Sequence, residues 1–525
     1  MTRKPRKESA PVFKEYIQGQ GLLFPPNLDE MVPQDHPVRV VDRIIEELDL
    51  TPLYHTYKGG GRSSYHPKML LKLVVFAYTQ KIYSSRQIAK AARENIHFMW
   101  LTGSQRPDFR TINRFRSIRL KRTVDELFYS VVAILERLGM ISLEDYFLDG
   151  TKIEANANKY TFIWRKNTVR YKADLARKVK ALLVEIDEIN EEENRLYGDD
   201  DFKESADDPE LTSRLIEEVV EELNEILKEE PENKDVKKAV KTLEKEYLPR
   251  MKKYEEQEKL LGDRNSYSRT DPDATFMRMK DDHMRNGQLK PGYNVQIGTE
   301  NQIIVGYSVH QRPTDTDCMG EHLEGVREHL KGFPDRVIAD AGYGSEENYV
   351  FLDKNKIDSY VKFPSFHWEQ KKRFRTNPFR RENFPYDMKS DSYLCPQGRR
   401  LVLKGSFSGF SKTGYEYPTF RYESESCAGC RETEACGKKS EENRVFVVRP
   451  LLEYYRTEMR TRLKSAEGKR YRSLRPVEVE SVFGQIKWNR GFTRFLLRGL
   501  ENVKTEWGLL CMAHNMLKVP IEALS

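Results

Sequence analysis

Cysteine is scarce in this sequence, with six in 525 residues. A chain of that length held by disulfides would carry many more, so a secreted disulfide scaffold is excluded and reduced thiols are expected. Long apolar runs are missing too: no stretch of about 18 or more apolar residues occurs, which excludes a membrane-spanning helix. The leading M-T-R-K-P-R-K has no apolar signal-peptide core, and no basic amphipathic anchor or lipidation signal is visible. These absences predict a cytoplasmic protein with no membrane partner.

What the chain has in abundance is charge. Lys and Arg number 89 against 82 Asp and Glu, for a formal net charge of +7. The balance is uneven, because Glu185 to Asp235 holds 22 acidic and 5 basic residues, leaving 84 basic against 60 acidic elsewhere, a surplus of 24. With no membrane signal, a surplus of that size favours nucleic acid as the polyanionic partner.

The pattern divides the chain into several regions. Residues 1–135 read as an all-helical, DNA-binding N-terminal domain. Val38, Val41, Ile44, Ile45 and Leu48 keep helical spacing after His36-Pro37, and Lys68 to Gln80 forms a more apolar helix. Ser84-Ser85 caps a helix to about Asn95, and Asp108 caps another that carries Arg110, Arg114, Arg116 and Arg119. Two short helices with a basic second member resemble a helix-turn-helix, which makes Arg110 and Arg114 candidate DNA contacts; a plain helical bundle is the alternative. Residues 166–265 read as an acidic helical insertion, a hairpin with a loop at Asp199 to Pro209, its apolar positions including Leu182, Leu183, Ile186 and Ile189, then Leu215, Val219, Leu223 and Ile226. Residues 140–165 and 266–365 carry strand signals at Tyr146–Ala157, Tyr293–Gly298, Gln302–His310 and Arg336–Gly344, with a helix near Glu321–Lys331.

Three acids stand out. Asp149, in Y-F-L-D-G-T-K-I-E-A-N-A, belongs either to an Asp-Gly hairpin turn or to a strand whose end presents it to a metal. Asp340, in R-V-I-A-D-A-G-Y-G, ends an apolar run ahead of a glycine-rich turn, as acids do at strand ends in α/β proteins. Glu480 lies in V-E-V-E-S-V-F-G-Q-I-K, a helix that Pro476 is expected to open. Its stripe of Val479, Val482, Phe483 and Ile486 puts Glu480, Gly484 and Lys487 on one flank and Glu478 on the other. Ordinary surface charge on an amphipathic helix is the competing reading. Arg456 to Arg475 is dense in arginine and lysine, and Arg472 and Arg475 are candidate phosphate grips. Phosphodiester chemistry with two Mg²⁺ or Mn²⁺ ions needs a set of carboxylates of this kind, because hard cations take oxygen ligands about 4 Å apart across the reacting phosphate.

Residues 366–450 form an aromatic and basic insertion containing Cys395, Cys427, Cys430 and Cys436. The C-x2-C pair with two further thiols can assemble a tetrahedral structural Zn²⁺ site, or the four remain free thiols. Cys318 and Cys511 are isolated. Residues 451–525 complete the chain as a basic helical part carrying the glutamate.

The three acid motifs, with F-T-R-F-L-L-R-G after the last and P-D-F-R-T-I-N-R-F-R near the start, resemble the DDE-class transposases of bacterial insertion sequences. The resemblance implies an α/β ribonuclease H-like mixed sheet flanked by helices. It implies that Asp149, Asp340 and Glu480 bind two divalent metals at the element's terminal inverted repeats, where water releases a 3′-hydroxyl that then attacks target DNA. A homodimer on double-stranded DNA is expected with it. Some relatives carry a tyrosine and an arginine at set spacings before the glutamate and a lysine seven after it. Lys487 matches the lysine; the other two slots hold Ser473 and Pro476, with Tyr471 and Arg475 in shifted register. An inactive DNA-binding derivative and a metal-dependent nuclease on the same core share these residues.

Overall fold

The computed structural model describes residues 27–57, 63–197, 211–279, 288–330, 332–437 and 442–524, with the side chains of 187–197 excepted. At its centre is a six-stranded mixed sheet. We label its strands β1 (Asp145–Glu154), β2 (Thr275–Arg278), β3 (Leu289–Glu300), β4 (Ile303–His310), β5 (Arg336–Ala339) and β6 (Asp358–Val361). The order is β2-β3-β1-β5-β6, with β4 also paired to β3. β3 is antiparallel to both β1 and β4, whereas β5 runs parallel to β1 and β6 parallel to β5. Parallel neighbours need crossovers, and the helices Met319–Leu330 and Glu346–Lys354 lie in the connections that lead into β5 and β6.

Strand β1 answers the Asp149-Gly150 question. It is no hairpin turn, because pairing with β3 continues from Phe147↔Thr299 through Glu154↔Gly292. Nor is Asp149 at the strand's end. It lies in mid-strand, beside the point where the shorter β5 stops. A turn would have left Ile153 outside the sheet, whereas in the strand it is 1 % exposed.

Helix Leu500–Met516 is apolar all round from Trp507 to Ala513 and is covered accordingly, with every residue from Thr505 to Met516 buried. It packs on β4 and against the helices Pro67–Thr79 and Val124–Arg137. One continuous apolar core therefore runs from Val32 through the sheet to Val519. In the N-terminal region the structure inserts a third helix, Ile96–Leu101, between Ser85–Glu94 and Phe109–Arg114. The expected two-helix unit is thus a three-helix one.

The acidic insertion is more than a hairpin. Helices Arg165–Tyr197, Ser213–Glu229, Lys234–Thr242 and Leu248–Leu261 enclose their own core, including Leu175, Val179, Ile216, Leu223 and Val236. The Asp199–Pro209 loop expected from sequence lies outside the described residues. The cysteine-rich insertion is a five-stranded antiparallel sheet with a small core of Phe384, Leu401, Tyr422, Phe446 and Val448. That core was not evident in the sequence, because its five buried residues are spread one or two at a time over Phe384 and three separate strands.

Beneath the central sheet lies a buried polar chain. Tyr146 Oη is 2.6 Å from His322 Nε2, His322 Nδ1 is 2.7 Å from Ser308 Oγ, and Ser308 Oγ is 2.7 Å from His310 Nε2. Room for the tyrosine comes from two glycines: a Cβ on Gly298 would stand 1.7 Å from Tyr146 Cζ, and one on Gly306 2.4 Å from its hydroxyl oxygen. Burial pushes His322 from 6.5 down to about 3, so the folded protein holds it neutral. Because its folded value is depressed, its stabilising contribution is full above pH 6.5 and is lost as pH falls toward 3. The melting temperature is expected to drop between pH 7.5 and pH 5, and His322→Gln is expected to flatten that drop in a calorimetric pH series; an equally steep drop in the variant would rule the histidine out.

Candidate active site

The parallel register of β1 and β5 ends at Leu148↔Ala339, so the next residue on each strand is an acid, Asp149 on one and Asp340 on the other. Asp340 turns into a short helical turn and its Oδ1 accepts from Gly342 N at 2.7 Å. Asp149 Oδ1 accepts from Gly150 N at 2.9 Å. Gly150 has no room for a side chain, since a Cβ there would lie 2.2 Å from Gln296 Nε2 and 2.6 Å from Asp315 Oδ1.

Glu480 arrives from a different direction. Pro476 does not open a helix, because the helix begins at Ala466, capped by Ser465, and runs through Pro476. Proline has no N–H to give the preceding turn, and the chain accommodates it by widening into a π turn over Pro476–Glu480. The apolar stripe is buried as expected, with Val479, Val482 and Ile486 each 0 % exposed. The two flanking acids diverge. Glu478 accepts from Gln302 N at 2.8 Å, and burial raises its carboxyl above the usual range. Glu480 faces the strand acids.

What joins the three is Arg475. Its Nη1 is 2.7 Å from Glu480 Oε1, and its Nη2 is 3.1 Å from Asp149 Oδ2 and 3.8 Å from Asp340 Oδ2. Side-chain exposure grades outward from 8 % at Asp149 through 36 % at Asp340 to 51 % at Glu480. Such an arrangement is closed below by the sheet and open to a substrate above.

Sequence reading missed two neighbours. Asp315, in the loop after β4, accepts from Asn294 Nδ2 at 2.8 Å and Gln296 Nε2 at 3.0 Å, beside Gly150. Its only sequence signal is the T-D-T-D run behind a strand. Lys362 follows β6, a strand too short and polar to read. Burial, then the Arg475 guanidinium, hold its ammonium below the usual range, with Asp340 pulling the other way.

Residues 26–117 match a family described as a transposase domain (DUF772), and residues 394–519 match one described as a transposase DDE domain. The two matches support an insertion-sequence DDE transposase. No curated protein and no solved structure matches it.

The other candidate residues of the transposase are dispersed around this centre. Arg472 is half-buried with its guanidinium 5.3 Å from the Phe366 ring centroid, and Lys487 is 6 % exposed, held within the chain's own packing. Tyr471 donates to Asp145 Oδ1 at 3.1 Å and so serves the sheet edge. Arg110 and Arg114 are exposed and line an open cleft of about 500 Å³ with Arg86, Phe109 and Leu496. Arg116, from the same helical run, is buried and donates to Tyr78 Oη, the Tyr83 carbonyl and Ser85 Oγ. Cys395, Cys427, Cys430 and Cys436 line one cavity of about 20 Å³; the Arg399 backbone amide donates to the Cys395 sulfur and the Arg444 amide to the Cys427 sulfur, each at 3.3 Å.

Among the described residues, no three His, Cys, Asp or Glu side chains already stand at metal-holding spacing. In the acid cluster the guanidinium lies between the carboxylates. The donor set there is nonetheless all carboxylate oxygen, the ligand type that Mg²⁺ and Mn²⁺ prefer. No helix among the described residues is long and apolar enough to cross a membrane.

Proposed function

We propose that this transposase binds the ends of its element, hydrolyses the phosphodiester there and joins the freed 3′-hydroxyl to target DNA, using Asp149, Asp340 and Glu480 as ligands for two divalent ions. The observation that carries this reading is the convergence of the three acids, from two strands and a distant helix, on a single guanidinium. The central sheet, with antiparallel β4-β3-β1 joined to parallel β1-β5-β6 and acids on its two middle strands, supports a ribonuclease H-like core.

Bound to the three carboxylates, the ions would supply Lewis-acid activation of the attacking oxygen and stabilise the leaving one. The chain's own part is placement. The sheet holds Asp149 rigidly, the Asp340–Gly342 turn fixes the second acid, and Lys362 and Arg472 add positive charge where a phosphodiester would lie. Arg86, Arg110 and Arg114 offer the cleft to the flanking phosphates, with Phe109 as an apolar contact. Both reactions exchange one phosphodiester oxygen for another, so no covalent protein intermediate is needed. The test is incubation with Mg²⁺, a labelled duplex of the element's end and a target plasmid. Joined product is expected; cleavage without joining would make the protein a nuclease, and binding alone an inactive derivative.

We further propose that the four clustered cysteines hold a structural Zn²⁺. Their shared cavity and the backbone amides aimed at two of the sulfurs support it, since such donors stabilise thiolates. Protein purified without chelator is expected to contain about one zinc per chain, and Cys427→Ser to lose it together with several degrees of melting temperature. Full reaction of all four thiols with a thiol reagent in the native protein after zinc has been supplied would refute the site.

A further inference from the structure

Arg475 is only 6 % exposed, and each of its ion pairs is with an acid of the active site. Its two terminal nitrogens are committed to those acids, while its Nε is buried without a hydrogen-bond partner among the described residues. Three carboxylates drawn together repel one another, and a buried guanidinium among them supplies the compensating charge. The π turn explains how it gets there. By widening the helix between Arg475 and Glu480 it lets the arginine reach forward to the glutamate five residues on. A divalent ion held by the same oxygens would sit close to the guanidinium, where like charges repel strongly.

We propose that Arg475 is the resident counter-cation of the acid cluster. It competes with divalent metal for the three carboxylates, and its planar fork, with the Nε–H still unmet, turns to a DNA phosphate when metal enters. Metal and DNA thereby bind cooperatively, and the free protein is kept poor in metal. This inference rests on the reading of Asp149, Asp340 and Glu480 as metal ligands.

The two ideas can be tested separately by Mn²⁺ binding to the full chain, followed by electron paramagnetic resonance, for wild type, Arg475→Gln, Arg475→Lys and Asp149→Asn. Arg475→Gln is expected to bind Mn²⁺ about tenfold more tightly than wild type in the absence of DNA. Arg475→Lys, which keeps the charge, is expected to stay near wild type. A duplex of the element's end is expected to tighten Mn²⁺ binding to wild type and to leave Arg475→Gln unchanged. A merely structural arginine predicts the opposite sign, since acids freed from it would drift and bind metal more weakly. Equal or weaker Mn²⁺ binding by Arg475→Gln, with a cooperative melt showing that it folds, overturns the proposal. If Asp149→Asn keeps wild-type Mn²⁺ binding, the metal reading of the triad fails instead.

Discussion

Asp149→Asn is expected to lower cleavage and joining by at least about a thousandfold while leaving binding to the element's end intact. Asparagine keeps the shape of the side chain, and its oxygen can still accept from Gly150 N as Asp149 Oδ1 does at 2.9 Å. What it removes is the charge on the least exposed carboxylate of the cluster, the one most dependent on a cation. Glu480→Gln is expected to behave alike. Glu478→Gln is the contrasting control, since that side chain is turned toward Gln302 N and away from the other acids. A gel assay of strand joining distinguishes them. Full activity in Glu480→Gln with loss in Glu478→Gln would reverse the assignment of the third acid.

Arg116→Met is expected to destabilise the fold by about 3–5 kcal/mol, whereas Arg110→Ala, six residues earlier, should change stability by no more than about 0.5 kcal/mol. Arg116 is 2 % exposed and is linked through Tyr78, whose hydroxyl accepts from the guanidinium and donates to Glu506, to that fully buried acid, whose carboxyl burial raises and Arg116 lowers. Glu506 in turn accepts from Leu496 N and Leu497 N, tying the loop before the central helix to the N-terminal helices. Removing the guanidinium leaves that carboxylate buried and uncompensated. Arg110 faces the cleft, so its loss should appear in DNA affinity, reducing the salt dependence of binding by about one phosphate contact. Urea unfolding and a salt series of binding measurements separate the two roles. Equal stability losses would mean that both arginines are structural.

These two arginines also mark how far the sequence could be read. Spacing identified the helical run that carries them, but exposure depends on what packs across it. Arg116 meets Tyr78, Tyr83 and Ser85 there, and the buried acid its charge acts on, Glu506, lies 390 residues downstream. Arg475 shows the same boundary more sharply. The set spacing of the family's arginine put that slot at Pro476 and left Arg475 one residue out of register with Glu480, and a set spacing presumes a constant number of residues per turn. The π turn at Pro476 changes that number locally. Asp315 and Lys362 stayed hidden for a related reason: each lies in a short connection after a strand, with no periodicity to mark it.

The sequence by itself determined the three acid motifs, the family they point to, the flank of the stripe on which Glu480 lies and the grouping of four cysteines. All of these are local patterns in which chemistry and spacing are written in consecutive residues. Only the tertiary structure decided that Asp149 and Asp340 adjoin, through a parallel register that stops one residue short of each. It alone placed Arg475 among all three carboxylates. Strand register and the meeting of charges from distant segments follow from the burial of both faces of the sheet against Leu500–Met516 and its neighbours, and no single stretch of sequence carries that constraint.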